Sequence, residues 1–228
     1  MVTGTTASSS LHGVSHDATL PQPTPNCPLC PRLAEFRARN RAANPDWHNA
    51  PVASFGPLDA RLLIVGLAPG LKGANRTGRP FTGDYAGDLL YATLREHGFA
   101  AGAYEKRPDD GLRLTDCRIT NAVRCVPPEN KPTPAEARAC RQFLAGELAG
   151  LARLEVVLAL GRIAHAAALA ALELSQARYP FAHGGQHVLP SGLRLIDSYH
   201  CSRYNTQTRV LTPAMFGDVI GAARALLR

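Results

Sequence analysis

The chain has 228 residues, 45% of them hydrophobic, enough for one sizeable domain to bury its own core. Lys and Arg outnumber Asp and Glu, 25 to 18, and the formal net charge of +7 favours a polyanionic partner, nucleic acid first. No apolar run reaches the length that spans a bilayer, and the six cysteines without a secretory leader argue against a disulfide framework.

Residues 1–25 are rich in Ser, Thr, Pro and Gly and lack apolar periodicity, so they read as a disordered arm. A single domain is expected over residues 26–228. It opens on Cys27-Pro-Leu-Cys30, followed by a basic helix over Pro31 to Asn40 and a loop over Asn44 to Gly56. Leu62 to Val65 is a short apolar run of the kind that forms a buried strand. A long glycine-punctuated loop follows, then a helix from about Ala86 to a C-cap at Gly98. Ala100 to Gly111 reads as another loop, and Cys117 to Val123 as a second strand. Thr133, Pro134 and Glu136 form a capping-box start for a helix reaching about Leu151. Glu155 to Leu160 is a third strand, Gly161 starts an alanine-rich helix, and Leu193 to Asp197 is a fourth strand. Thr212 and Pro213 cap the last helix. Alternation of strand and helix predicts three α/β/α layers around a four-stranded, mainly parallel sheet.

The loop from Gly66 to Asp84 leaves the carboxyl end of a strand, where open α/β sheets bind ligands. No Gly-Lys-Ser/Thr closes it as a Walker loop, and its glycine spacing is not that of a dinucleotide site. It carries Arg76, Arg79, Phe81 and Asp84; on residue chemistry alone Asp84 is equally a plain helix cap. Cys27 and Cys30 stand one turn apart, a chelating spacing, and Cys125 and Cys140 flank a loop and a helix start. Four such thiolates suit zinc or an iron–sulfur cluster. Cys117 reads as a buried core thiol and Cys201 as a loop thiol or small filler.

Four motifs in unbroken order carry a resemblance: G-L-A-P-G through R-T-G-R-P-F-T-G-D, A-V-R-C-x-P-P-x-N-K-P-T-P, A-L-G-R-I-A and S-Y-H-C-S-R-Y-N-T-Q-T. Together they resemble the family 5 (type B) uracil-DNA glycosylases from Cys27 to the C-terminus. The resemblance implies the uracil-DNA glycosylase fold and a [4Fe–4S] cluster on Cys27, Cys30, Cys125 and Cys140. It also implies hydrolysis of the N-glycosidic bond of uracil, and of other deaminated or modified bases, in DNA. Asp84 and His200 match the family's catalytic residues, and Ala68 stands where other glycosylase families carry an acid or amide. Gly66, Ala68, Phe81, Asn121 and His200 are then the expected base-binding set, with Phe81 stacking on a flipped base. Asn121 is a departure from the type B pattern, which often has a small apolar residue there. Other glycosylase families place an asparagine at this strand position to read the uracil edge, and the plain alternative is a buried amide bonded to backbone. Arg76, Arg79, Ser202, Arg203 and Asn205 are the expected DNA contacts, with Asn205 in the inserting segment. The implied protein is a monomer acting on DNA in the cytoplasm, at the nucleoid. The rival reading keeps the cysteines and the basic surface but no chemistry: a non-catalytic iron–sulfur or zinc nucleic-acid-binding module.

Overall fold

A computed structural model describes residues 20–227. Residues 1–19 of the expected arm lie outside the described residues. The remainder of that arm is packed: Leu20 lies against Gly150, Pro21 against Gly146, and the Gln22 amide donates to the buried Glu147 carboxylate at 3.0 Å.

Strands β1 (Leu62–Gly66), β4 (Cys117–Asn121), β5 (Val156–Leu160) and β7 (Arg194–Ser198) run parallel, as the alternating pattern requires. The sheet has five strands rather than four, in the order β4-β1-β5-β7-β6. The extra strand, β6 (Gln186–Val188), is a three-residue antiparallel edge beside β7, too short to show a period in the sequence. A separate two-stranded ribbon joins β2 (Ala100–Ala101), inside the stretch expected to be loop, to β3 (Arg113–Leu114), just beyond it.

β1, β4 and β5 are buried at every position, the pattern of parallel strands covered on both faces. Side chains alternate across the sheet. Leu62 and Ile64 pack toward α3 (Tyr85–Glu96) and α7 (Pro213–Leu226), through Leu90, Leu94, Phe216 and Ile220. Leu63 and Val65 pack toward α4 (Pro134–Gly150) and α5 (Arg162–Ala171), through Leu144, Leu148 and Leu169. Each such buried Leu contributes roughly 2 kcal/mol relative to exposure, so the two faces together drive the layering.

Local signals set several helix ends. Thr133 accepts from the Glu136 amide at 3.2 Å while the Glu136 carboxylate accepts from the Thr133 amide at 2.7 Å. Thr212 accepts from Met215 N at 3.2 Å at the start of α7. α1 (Pro31–Ala43) runs slightly longer than its sequence signal, and two short helices, α2 (Ala74–Thr77) and α6 (Arg203–Gln207), lie in segments read as loop.

Candidate active site

β1 and β4 end side by side, with Gly66 and Asn121 as register partners. The loop after β1 and the turn after β7 rise over this end of the sheet and enclose a pocket of about 370 Å³. Its walls include Ala68, Phe81, Asp84, Asn121, His200 and Ser202, all of them among the expected residues. Gly66, also expected to bind the base, lies behind the pocket wall rather than in it: a Cβ there would collide with Asn121 Oδ1 and stand 2.7 Å from Phe81 Cζ. Only glycine lets the strand lie this close to both side chains.

Asn121 is 3% exposed, and its buried Oδ1 has no hydrogen-bond partner among the described residues. That departs from the plain alternative of an amide satisfied by neighbouring backbone. A buried acceptor without a donor costs about 1–3 kcal/mol, a penalty that a ligand N–H would remove.

Phe81 is buried and sits at φ 53°, a left-handed conformation that a bulky residue rarely adopts. Its ring stacks on the His200 imidazole, centroids 5.9 Å apart and planes 29° from parallel. His200 is half-buried, and burial lowers its pKa to about 4, so the ring is neutral at pH 7. Asp84 caps α3 by accepting from Gly87 N at 3.4 Å. Burial raises its pKa above the ordinary value, against the lowering effect of the Gly87 and Ala86 amides. Gly70 and Gly73 make room for its carboxylate: a Cβ on Gly73 would collide with Asp84 Oδ2. The cap and the pocket acid are thus one residue.

The expected DNA contacts divide. Arg76 and Arg203 are exposed on this end of the molecule, with the Arg203 guanidinium 5.3 Å from the Tyr85 ring centroid. Ser202 Oγ caps α6 by accepting from Asn205 N at 3.3 Å, and Asn205 Nδ2 donates to the His200 carbonyl at 2.8 Å. Arg79 is a correction. It is 4% exposed, its guanidinium paired with Asp110 at 2.7 and 2.8 Å, and it points into the protein rather than toward a phosphate. Burying an arginine is tolerable only with such a partner, and Asp110 lies 31 residues further along the chain. Local sequence gives no signal for the pair. Tyr85 and Asn130, which also line the pocket, carried no signal either.

Beside the pocket, Cys27, Cys30, Cys125 and Cys140 wall one small cavity with Leu33, Arg37 and Phe143. Ala68 packs on the cluster formed by Leu33, Val123, Cys125, Cys140 and Phe143, so this residue separates the cysteines from the pocket. The Arg37 guanidinium donates to Cys125 Sγ at 3.5 Å, and Arg124 N donates to Cys140 Sγ at 3.3 Å. Burial pushes the Cys125 and Cys140 thiols each up to about 11. Among the described residues, no three His, Cys, Asp or Glu side chains converge on one point as a single ion requires. All six cysteines are free, and Cys117 and Cys201 are buried away from this cavity.

A parallel sheet with helices on both faces and a polar-tipped pocket at its carboxyl edge defines an α/β protein that binds its ligand at the strand ends. The particular kind follows from comparison: the chain belongs to the uracil DNA glycosylase superfamily, whose family model matches residues 53–224. It is 49% identical over 206 residues to a type-5 uracil-DNA glycosylase of Thermus thermophilus, covering 88% of this chain and 93% of the relative. A type-5 enzyme of Pyrobaculum aerophilum is 38% identical over 204 residues, 88% of each chain. A type-4 uracil-DNA glycosylase of Thermotoga maritima is 40% identical over 114 residues, about half of each chain.

Proposed function

We propose that the protein removes uracil from DNA by hydrolysing the N-glycosidic bond, leaving an abasic site. The observation that carries this reading is the unpartnered Asn121 Oδ1 beside the Phe81 ring in the pocket. An amide offers a donor and an acceptor, matching O4 and N3–H of uracil, and the ring covers the face of the base. Family membership and the type-5 relatives support the same conclusion.

The base must leave the duplex stack before its glycosidic bond can be reached. Bond cleavage builds positive charge on the sugar and negative charge on the departing uracil. Asp84, held by helix amides at the pocket wall, stabilises the sugar cation and orients water toward C1′. The water oxygen bonds to C1′ while its proton goes to solvent or to the base. His200, neutral at pH 7, donates a hydrogen bond toward the negative charge on the departing base. Gly66 leaves room for the Asn121 amide and the Phe81 ring, and Ala68 adds a small wall residue. Arg76 and Arg203, exposed at the pocket end, hold DNA phosphates, with Ser202 and Asn205 ordering the loop that presents Arg203 and His200.

Cys27, Cys30, Cys125 and Cys140 fit a [4Fe–4S] cluster: the donor set is all cysteine sulfur and lines one cavity. When bound, the cluster supplies a covalent brace between the α1 start, the turn after β4 and α4. The Cys125 and Cys140 thiols need positive charge in that cavity to ionise. We read the chain as one domain over residues 26–228, monomeric and cytoplasmic, acting at the nucleoid. No helix among the described residues is long and apolar enough to cross a membrane.

The test is release of free base from an oligonucleotide with one uracil, followed by alkaline cleavage at the abasic site. Cleavage only with uracil and only after alkali is the expected result. Tight DNA binding with no base released would leave a non-catalytic binding module instead.

A further inference from the structure

The residue that departs furthest from its expected place also explains the most strained one. Arg79 is boxed by three rings, its Cζ 5.1 Å from the Phe55 centroid, 5.6 Å from Tyr91 and 5.8 Å from Tyr104. Asp110 grips both terminal nitrogens of the guanidinium, and its carboxylate also accepts from the backbone amides of Glu105 and Leu112. The loop between β2 and β3 is thereby tied to Arg79. From this anchor Arg79 Nε donates to Thr82 Oγ1 at 2.8 Å, one residue past Phe81. The hydroxyl of Tyr91 donates to the Pro80 carbonyl at 2.6 Å, and that of Tyr104 donates to the Phe81 carbonyl at 3.1 Å. The three residues from Pro80 to Thr82 are each held by a member of the same cage.

A bulky residue at φ 53° persists only where its surroundings over-determine it. The cage does so here, and the conformation it enforces turns the Phe81 ring over Gly66 and against His200. We infer that Arg79, Asp110 and Tyr104 are positioning residues for the reaction, holding the strained Phe81 turn so that its ring meets the extrahelical base. The inference rests on the proposed stacking role of Phe81. It assigns a function to the β2–β3 loop, which contributes no side chain to the pocket wall.

The experiment is a double-mutant cycle on the purified full chain, read by single-turnover excision from a uracil-containing oligonucleotide. Tyr104→Phe removes one hydrogen bond and should slow excision about three- to tenfold. Asp110→Asn, which strips Arg79 of its counter-charge, should slow it by about tenfold or more. In a Phe81→Ala background each substitution should change the rate by less than about twofold, because the ring they position is gone. A cage acting only through general stability would give the same loss in both backgrounds, and that result overturns the proposal. So does a wild-type rate in Tyr104→Phe, which decides the matter if Asp110→Asn fails to fold. A wild-type rate in Phe81→Ala alone overturns the stacking role itself, and is recognised separately because the cycle then has no starting effect.

Discussion

Gly66 and Asn121 face each other across β1 and β4 as register partners, and the missing side chain of one makes the space for the amide of the other. Strand pairing alone brings them together, since they lie far apart in sequence. Asn121→Ala should lower uracil excision about tenfold, the loss of roughly one hydrogen bond to a neutral partner. Excision of hypoxanthine should fall less, so the ratio of the two single-turnover rates is the measurement. An unchanged ratio with a lower melting temperature would make Asn121 a structural amide. Gly66→Ala should be more damaging than Asn121→Ala, because its methyl group displaces both the amide and Phe81.

Asp84 does two jobs that mutation can separate. Asp84→Asn keeps an acceptor for the Gly87 amide and should cost little stability. Its excision rate should nevertheless drop by at least about two orders of magnitude, with DNA affinity nearly unchanged. Gly73→Ala should reproduce part of that loss, since the added methyl group pushes on the carboxylate. A near-wild-type rate in Asp84→Asn would reduce Asp84 to a cap.

His200 links stability to pH. An exposed histidine in the unfolded chain titrates near pH 6.5, whereas burial holds the folded one down to about 4. Between those values the unfolded state binds more protons, so stability is full above about pH 6.5 and falls as pH drops toward about 4. Melting temperature in the wild type should therefore decline more steeply over this interval than in His200→Gln. Parallel declines would show that His200 does not couple to folding. Excision should fall on the same acid side as the imidazole becomes charged and Asp84 becomes protonated.

The cysteine cavity makes a prediction about folding. Cys140→Ser should lower both iron content and melting temperature, because a bound cluster that bridges distant segments adds its binding energy to folding. The visible absorbance of the cluster should fall with them. Cys117→Ser should leave iron content intact, since Cys117 is buried in β4 away from the cavity. Equal iron content in Cys140→Ser and wild type would remove Cys140 from the ligand set.

How much was legible in the chain varies with the range of the signal. The capping box at Thr133 and Glu136, the apolar run of β1 and the caps of α7 were readable because their partners lie within a few residues. Cys27, Cys30, Cys125 and Cys140 came from spacing and motif, and the fold brings all four to one cavity. Edge strand β6 was not readable, because three residues beside β7 carry no period.

Arg79 shows the limit most clearly. An arginine in a glycine-rich loop of a basic chain reads as an outward-facing DNA contact, and only a carboxylate 31 residues away and three converging rings make its burial favourable. Likewise Asp84 could be read as a cap from its neighbours, but its burial, which raises its pKa, depends on loops that meet only in the folded chain. Local periodicity, caps and motifs carry the four parallel strands, the main helices, part of the pocket wall and the four cysteines that line one cavity. Tertiary structure alone decided which charges are buried and which polar atoms go unpaired, because desolvation and pairing depend on neighbours that the chain supplies from a distance.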